Sequence, residues 1–330
     1  MSSYDRVAQS EAQRANPRES AGASTDRAAY RAYNNFVKAT LIRTALQRWT
    51  ADSASGGIAF LDLASGRGGD LAKILVPNRA QSVPVTRYAA LDISSESVAE
   101  ARRRLAAMQA KASPGCTMDI DVADVFDVAG EWRTRECLAA RGYHVVSMQF
   151  ALHYGCSSLQ RLRQFLGCVS AALVDGGWFI GTTVDGEALR RRLQMLNSNL
   201  ASSNDTGAHG AAPFCISFAA GQQGPDAAQL ASAAAFPLGL AYRFQLDALV
   251  DDVEYSVPWS VLCAEAAAAG LDAVSDHCLN MYEGYKSFYV PQGDIRPPLT
   301  DGDVALVSFY VTFAFCKRGA TPSTPQAPSE

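Results

Sequence analysis

The sequence predicts an α/β fold in which helices cover both faces of a doubly wound parallel sheet. Short apolar runs alternate with segments of helical periodicity between residues 58 and 183. The first run, Ile58–Leu63, has five apolar residues out of six, which is typical of a strand buried on both faces. It leads into the glycine-rich residues Ala64–Asp70, where the chain can turn sharply and approach a ligand.

The elements follow from these patterns in chain order. An amphipathic helix is expected from Tyr30 onward, ahead of the first strand. Four further strands of the sheet are expected at Arg87–Ile93, Cys116–Asp124, Tyr143–Phe150 and Trp178–Thr183, with intervening helices at Asp70–Val76, Ser94–Ala110 and Leu159–Leu173. Later elements are strands at Leu240–Leu246 and Val253–Pro258, a helix at Trp259–Ala269 ended by Gly270, and a closing strand at Val304–Phe315.

One domain accounts for most of the chain. Residues 1–25 lack apolar periodicity and are expected to be a mobile segment, residues 26–318 form the domain, and 319–330, with three prolines, form a disordered tail. Residues from about 198 to 235 are rich in Ala, Gly, Ser and Gln. They are expected to be a long insertion with a partly flexible surface loop.

Composition restricts the classes of function. The chain is 48% hydrophobic and 19% charged, which suits a well-buried core, and its net charge of -4 excludes a general attraction for a nucleic-acid backbone. The eight cysteines are scattered without a C-x-x-C pair, which argues against a disulfide framework or a metal site and favours buried thiols in a reducing compartment. No apolar run approaches membrane-spanning length, so a soluble intracellular protein is expected.

The glycine-rich loop and two acids indicate a nucleoside site. The loop is not G-x-G-x-x-G, because Ala64 stands where the first glycine would be, so a ligand without a pyrophosphate is expected and S-adenosylmethionine is the natural candidate. Asp92 lies at the end of the second strand, where a carboxylate accepts ribose hydroxyls, and Asp124 is the last residue of the third strand, beside the same pocket. Asp124 could hold an adenine amino group or cap a turn. The glycine-rich loop, considered by itself, could also be a turn in another kind of α/β domain.

Two further groups of polar side chains lie near the predicted site. Gln149, His153 and Tyr154 follow the fourth strand, at the edge of a parallel sheet where ligands bind, although a lone histidine is more often structural. On the N-terminal helix, two amides and a lysine share about one turn within residues 34–38. They are either solvated helix residues or groups that reach over the glycine loop.

Seven motifs occur in the order of one known family. They are Asn-Asn-Phe-Val-Lys (34–38), Leu-Asp-Leu-Ala-Ser-Gly-Arg-Gly-Gly-Asp-Leu (61–71), Leu-Asp-Ile-Ser (91–94), Gln-Phe-Ala-Leu-His-Tyr (149–154), Gly-Gly-Trp-Phe-Ile-Gly-Thr-Thr (176–183), Val-Glu-Tyr-Ser-Val-Pro (253–258) and Phe-Tyr-Val-Thr-Phe-Ala-Phe (309–315). From about residue 30 to 318 the chain resembles the mRNA cap (guanine-N7) methyltransferases. The resemblance implies a Rossmann-like class I methyltransferase sheet with an N-terminal helix and an inserted cap-binding region.

The resemblance also implies the site residues. The cofactor positions it implies are Lys38, Ala64, Gly66, Asp70, Asp92, Asp124, Gln149 and Tyr154. The cap-binding positions it implies are Asn34, Asn35, Arg67, Lys73, Arg104, His153, Glu254 and Tyr310. His153 and Glu254 would orient the guanine without a general base, because guanine N7 has no proton to lose and a carboxylate can accept both N1–H and the exocyclic amine. Outside the family, Arg104 reads as a solvated helix residue and Tyr310 as a core aromatic.

The implied partners are capped mRNA and other capping enzymes, and a nuclear monomer that uses S-adenosylmethionine without a metal is expected. Ala64 departs from the family pattern by adding a methyl group where the backbone approaches the cofactor. Three alternatives stay open. They are a methyltransferase of a small molecule, an inactive binding subunit with the same fold, and, more distantly, a nicotinamide dehydrogenase, for which the pyrophosphate loop is wrong.

Overall fold

The structure, a computed structural model, covers most of the chain between residues 28 and 319. It describes residues 28–51, 53–54, 56–77, 81–127, 129–134, 142–202, 214–218, 224–246 and 250–319. The expected mobile segment 1–25 and nearly all of the expected tail 319–330 lie outside the described residues.

The strands confirm the doubly wound α/β fold. Those described are β1 (Ile58–Leu63), β2 (Val85–Asp92), β3 (Thr117–Val122), β4 (Tyr143–Gln149), β5 (Leu173–Val184), β6 (Cys215–Ser217), β7 (Ala241–Leu246), β8 (Val250–Tyr255), β9 (Leu271–Ala273) and β10 (Tyr310–Lys317). A seven-stranded sheet has the order β3-β2-β1-β4-β5-β10-β9. Its first five strands are parallel, and β10 pairs antiparallel with both β5 and β9. The strand order therefore reverses between β1 and β4, where doubly wound sheets bind ligands.

Helices cover both faces of this sheet. Those described are α1 (Ala28–Gln47), α2 (Leu71–Leu75), α3 (Ser95–Met108), α4 (Leu159–Ala172), α5 (Gly186–Ser202), α6 (Ala227–Leu230), α7 (Trp259–Ala268), α8 (Met281–Tyr285) and α9 (Asp301–Val307). Strand β1 alternates between the two cores. Leu61 and Leu63 pack with α4 and α7, whereas Ile58 and Phe60 pack with α1, α2 and α3. This alternation follows from the two-residue period of a strand.

A smaller antiparallel sheet, β6-β7-β8, packs beside the carboxyl edge of the main sheet. Phe214, Phe244 and Phe309 stack at its centre, with ring centroids 4.9–5.7 Å apart. Part of the expected insertion belongs to this core, since Ile216 and Leu230 are also buried there. Other described residues of that segment belong to the end of α5, to β6 and to the short helix α6, and residues 203–213 and 219–223 lie outside the described residues.

The prediction of a single closing strand at Val304–Phe315 is wrong in its first half. Residues up to Val307 belong to α9, and β10 begins at Tyr310. Thr300 and Asp303 form a capping box that starts this helix. An apolar run of this length does not distinguish a buried helix from a buried strand by periodicity alone. Strand β5 begins at Leu173, five residues before the expected start at Trp178, and in this added part its pairing with β4 is irregular and Gly176 has a φ of 74°.

Among the described residues no helix combines the length and the apolar character needed to cross a membrane. The same ranges contain no group of three His, Cys, Asp or Glu side chains arranged to hold a metal ion. The cysteines within them are free thiols, but the expectation of burial is met only by Cys156 and Cys168. Cys215 is exposed, and Cys116, Cys263, Cys278 and Cys316 are partly exposed. Cys137 lies outside the described residues.

Candidate active site

A cavity of about 670 Å³ opens at the carboxyl ends of β1, β2, β3 and β4. This volume is in the usual range for a small-molecule site. The segments that follow these strands line it, and β8 of the smaller sheet forms a further wall. The cavity therefore lies where the strand order reverses, which the sequence predicts for a nucleoside site.

The glycine loop forms one wall of the cavity. Gly66, with a φ of 54°, and Gly69 line it, and a methyl group added to either would meet no other atom within 4 Å. A side chain at either position would therefore project into open space. Gly68 has a different role, because its added methyl group would lie 2.6 Å from the side chain of Leu71. A side chain at this position would displace Leu71 and would have a φ of 72°, a conformation that favours glycine.

Two residues of the lining have strained backbone. Ala64 has a φ of 53° and Phe150 a φ of 55°, and within the described ranges these are the residues other than glycine with positive φ. For an L-residue this conformation costs about 1–2 kcal/mol. The amide of Phe150 is held by the carbonyl and hydroxyl oxygens of Thr182, at 3.0 and 2.9 Å. Backbone strain of this kind clusters at ligand sites.

Asp92 links the glycine loop to the end of β2. Its Oδ2 accepts a hydrogen bond from the Gly66 amide at 2.7 Å, and its Oδ1 accepts one from the Ser94 amide at 2.9 Å. The carboxylate is buried and lines the cavity. The loop and the acid that the sequence singled out separately are therefore one hydrogen-bonded unit.

Asp124 and Gln149 also line the cavity, each held by local bonds. Asp124 Oδ1 accepts the Phe126 amide at 2.8 Å, so the turn-capping alternative applies, while its Oδ2 lies 3.5 Å from the guanidinium of Arg161. Gln149 Nε2 donates to Ser147 at 3.0 Å and its Oε1 accepts from Thr182 at 3.2 Å. These bonds fix the orientation of both side chains at the cavity surface.

Glu254, His153 and Tyr310 form a buried layer behind the cavity wall. Glu254 is 2% exposed and His153 1%, and none of the three lines the cavity. The lining residues in front of them are aromatic. The ring of Phe150 lies 5.0 Å from that of Tyr310, and the ring of Tyr154 lies 4.4 Å from that of His153.

Glu254 has its hydrogen-bond partners within this layer. Its Oε2 accepts from the Tyr242 hydroxyl at 2.8 Å, Tyr154 is a second hydroxyl partner, and its Oε1 lies 3.5 Å from Nε2 of His153. Burial raises the pKa of Glu254 to about 8 and lowers the pKa of His153 to about 3. Both side chains are therefore mainly neutral at pH 7, and their contact is not an ion pair.

The polar residues of α1 lie at the junction of the glycine loop and α2 and do not line the cavity. Lys38 binds both oxygens of Asp70, at 2.9 and 3.1 Å. Lys73 binds Asp70 at 2.6 Å and Asn35 at 3.0 Å. Asn34 is buried, and its side-chain oxygen has no hydrogen-bond partner in the described part of the chain.

Two arginines expected at the cap do line the cavity. Arg67 lies on the glycine loop and Arg104 on α3. The Glu100 carboxylate binds Arg104 at 2.8 Å and Arg103 at 2.7 Å. The hydrogen bond from Arg104 lowers the pKa of Glu100, and the positive charge of Arg67 contributes to this shift. The rim of the cavity next to α3 is therefore rich in guanidinium groups.

Sequence reasoning missed several lining residues. Ile93 is apolar yet 40% exposed, and its place directly after Asp92 is a signal that could have identified it. Asp252 and Tyr255 flank Glu254 on β8 and line the cavity, whereas Glu254 is buried. Arg161 also lines it, from α4, and no motif in the sequence indicates this role.

Comparison with known proteins agrees with the motifs. The sequence model of the mRNA (guanine-N(7))-methyltransferase domain matches residues 5–287. The chain is 28% identical to mRNA cap guanine-N(7) methyltransferase 1 of Oryza sativa subsp. japonica, over 89% of this chain and 76% of that protein. It is 28% identical to the mRNA cap guanine-N(7) methyltransferase of Schizosaccharomyces pombe, over 87% and 75%. A solved putative S-adenosylmethionine-dependent methyltransferase from Listeria monocytogenes aligns with a TM-score of 0.47 at 13% identity, covering 88% of this chain and 99% of that one.

Proposed function

The chain belongs to the mRNA (guanine-N(7))-methyltransferase family, and from this premise we propose how its residues carry out the reaction. The reaction is transfer of a methyl group from S-adenosylmethionine to N7 of the terminal guanosine of capped RNA. The family match over residues 5–287 carries this conclusion. The relatives in Oryza sativa and Schizosaccharomyces pombe, which match over most of the chain, are named for the same activity.

The cavity fits S-adenosylmethionine. Gly66 and Gly69 leave space that a side chain would fill, and the adjacent Asp92 places a carboxylate at the end of β2. We propose that Asp92 accepts the ribose hydroxyls, that Ile93 packs on the adenine face and that Asp124 accepts the adenine amino group. Gln149 and Tyr154 would line the methionine end of the cofactor, and Lys38 and Asp70 would support it from behind the loop.

The buried layer supports guanine recognition. The base edge presents two donors, N1–H and the exocyclic amine, and an ionised carboxylate accepts both. We propose that Glu254 reads this edge in its ionised form, with Tyr242 and Tyr154 as its hydroxyl donors. His153 and Tyr310 would pack against the base, and Arg67 and Arg104 would neutralise the bridging phosphates. Because Glu254 and His153 lie behind Tyr154, guanine binding would require a shift of that ring.

Positioning supplies the catalysis in this proposal. When bound, S-adenosylmethionine provides a methyl group on a sulfonium that is already an activated leaving group. Guanine N7 has a free lone pair and no proton, so no side chain has to act as a general base. The chain's own residues align the two ligands and exclude water, and such alignment supplies about 7–11 kcal/mol of a barrier. The neutral His153 is consistent with an orienting role, because a histidine with a pKa of about 3 does not exchange protons near neutrality.

A transfer assay tests the proposal and separates it from the alternatives. Purified protein is incubated with labelled S-adenosylmethionine and GpppG-capped RNA, and the RNA is then digested. Label in N7-methylguanosine supports the proposal. Binding of S-adenosylmethionine in a calorimeter without transfer to capped RNA or GpppG would favour a small-molecule methyltransferase, and no binding would favour an inactive subunit.

We propose further that the protein acts in the nucleus, as a monomer, alongside other capping enzymes. The matched relatives of Oryza sativa and Schizosaccharomyces pombe are eukaryotic, which supports nuclear action. The expectation of a monomer is kept from the sequence as a separate proposal. Light scattering during size-exclusion chromatography tests this, and a stable dimer at micromolar concentration would contradict it.

A further inference from the structure

The hydroxyl of Thr182 is buried next to the end of β4, beside the cavity. Thr182 pairs with Gln149 across β5 and β4 and is 0% exposed. Its Oγ1 donates to Oε1 of Gln149 at 3.2 Å and accepts from the amide of Phe150 at 2.9 Å. One hydroxyl therefore binds two consecutive residues, and both of them line the cavity.

The segment of β5 that carries Thr182 is a family motif without an implied site residue. Residues 176–183 form one of the seven motifs, and none of the site positions implied by the resemblance lies among them. A valine would fill the same space on a strand without the cost of burying a hydroxyl. The hydroxyl is therefore explained by the groups that it binds rather than by packing.

Phe150 depends on Thr182 because its backbone is strained. Its φ of 55° is unfavourable for an L-residue, and its amide is held by both the carbonyl and the hydroxyl oxygen of Thr182. The ring of Phe150 lies 5.0 Å from that of Tyr310, which belongs to the buried layer behind the cavity. A movement of Phe150 would therefore shift the wall between the cavity and this layer.

Gln149 is held at both ends of its side-chain amide. Its Nε2 donates to Ser147 at 3.0 Å and its Oε1 accepts from Thr182, so the amide has one orientation at the cavity surface. Ser147, like Thr182, is 0% exposed. Loss of the Thr182 hydroxyl would remove the bond to Oε1 and leave the amide free to turn.

We propose that Thr182 is a positioning residue that sets Gln149 for the cofactor and Phe150 for the guanine layer, and thereby aligns the two ligands for methyl transfer. The inference rests on the proposed function for the identity of these ligands. Thr182 does not line the cavity, so it acts through its two neighbours. Loss of its hydroxyl should weaken cofactor binding through Gln149 and lower kcat through misplacement of Phe150.

The test compares two buried threonines that pair across β5 and β10 of the full chain. Thr182→Val removes the hydroxyl and keeps the shape of the side chain, and Thr182→Ser restores the hydroxyl. Thr312→Val is the matched control, because Thr312 pairs with Thr182 and is also 0% exposed, but its hydroxyl binds the carbonyls of His277 and Leu279. Neither of these two residues lines the cavity. Calorimetry gives the Kd for S-adenosylmethionine without RNA, and the transfer assay gives kcat at saturating S-adenosylmethionine and GpppG-capped RNA.

We expect Thr182→Val to raise the Kd for S-adenosylmethionine about fivefold, as loss of one hydrogen bond does, and to lower kcat about tenfold or more. Thr182→Ser should recover most of both losses. Thr312→Val should lose a similar amount of stability in thermal melts but should change neither quantity by more than about twofold. A Thr182→Val variant that matches Thr312→Val in either quantity, or a loss that Thr182→Ser does not recover, would overturn the proposal.

A double-mutant comparison tests whether Thr182 affects the cofactor through Gln149. In a Gln149→Leu background, Thr182→Val should change the Kd for S-adenosylmethionine by less than about twofold, because the partner of the hydroxyl is already gone. Additive effects of the two substitutions on this Kd would contradict the proposed route.

The remaining outcomes separate this inference from the proposed function. If thermal melts show that Thr182→Val does not fold, Thr182→Ala replaces it with the same expected results. If the wild-type protein binds S-adenosylmethionine but does not methylate capped RNA, the proposed function fails, while the calorimetric comparison still decides the role of Thr182. Absence of cofactor binding by the wild type would overturn both.

Discussion

Replacement of Glu254 by Gln tests whether the buried layer behind the cavity is neutral. Burial raises the pKa of Glu254 from 4.5 to about 8, so the folded protein holds a proton that the unfolded chain releases. The proton retained by Glu254 therefore stabilises the folded protein fully below pH 4.5, and this stabilisation is lost as the pH rises toward 8. One pKa unit corresponds to about 1.4 kcal/mol, so the loss between pH 5 and pH 8 is about 3–4 kcal/mol.

Glutamine removes this dependence without removing the contact. Its amide oxygen can still accept from the Tyr242 hydroxyl, which lies 2.8 Å from the present carboxylate, and it does not ionise. Asp62, whose pKa burial also raises to about 8, is present in both proteins and cancels in the comparison. Urea unfolding is followed by tryptophan fluorescence at about pH 5, 6.5 and 8. Between pH 5 and pH 8, the free energy of unfolding of the variant should rise by about 3–4 kcal/mol relative to that of the wild type. A difference that is the same at all three pH values would refute the neutral state of Glu254.

Three further predictions concern the cavity wall and the buried layer behind it. Ala64→Gly should raise Tm by about 1–3 °C, because relief of the left-handed backbone outweighs the added chain entropy, and a clear fall in Tm would contradict the strain at φ 53°. Gly66→Ala and Gly115→Ala both place a methyl group in open space at positive φ, so the two variants should lose similar stability in thermal melts. Calorimetry should show weaker S-adenosylmethionine binding only for Gly66→Ala. Equal cofactor affinity in the two variants would remove Gly66 from the site. In the wild type, kcat/KM for capped RNA should rise with pH toward about 8, because Glu254 ionises in this range. The His153→Ala variant should have a lower rate but the same rise with pH. Loss of an essential titrating group from the pH profile of that variant would identify His153 as an acid or base.

The sequence was most informative where local patterns decide the structure. The apolar run of β1, the glycine loop and the acid that ends β2 are all encoded within a few residues, and each lies in the structure where the pattern predicts. Gly66 and Asp92 could be assigned to one site because parallel strands end at the same edge of a sheet. The closing strand was mispredicted because α9 is short and apolar, and its start depends on the capping pair Thr300 and Asp303.

The site was less predictable where it depends on packing between distant segments. No spacing rule brings Asn35 to Lys73, which lies 38 residues further along the chain, and their contact follows from how α1 lies across the glycine loop. Similarly, Asp252 and Glu254 lie on the same face of β8 by their two-residue spacing, and only the packing of the smaller sheet shows that Asp252 lines the cavity while Glu254 lies behind it. Arg161 reaches the cavity from α4, far from any motif.

Methyl transfer to capped RNA tests the central claim most directly. The measurement is incorporation of label from S-adenosylmethionine into GpppG-capped RNA, followed by digestion and chromatographic identification of the labelled nucleoside. The account predicts that the label is recovered in N7-methylguanosine and that Glu254→Ala lowers its formation at least tenfold, because the guanine edge loses its acceptor. Recovery of the label in any other nucleoside, or full transfer by the Glu254→Ala variant, would contradict it.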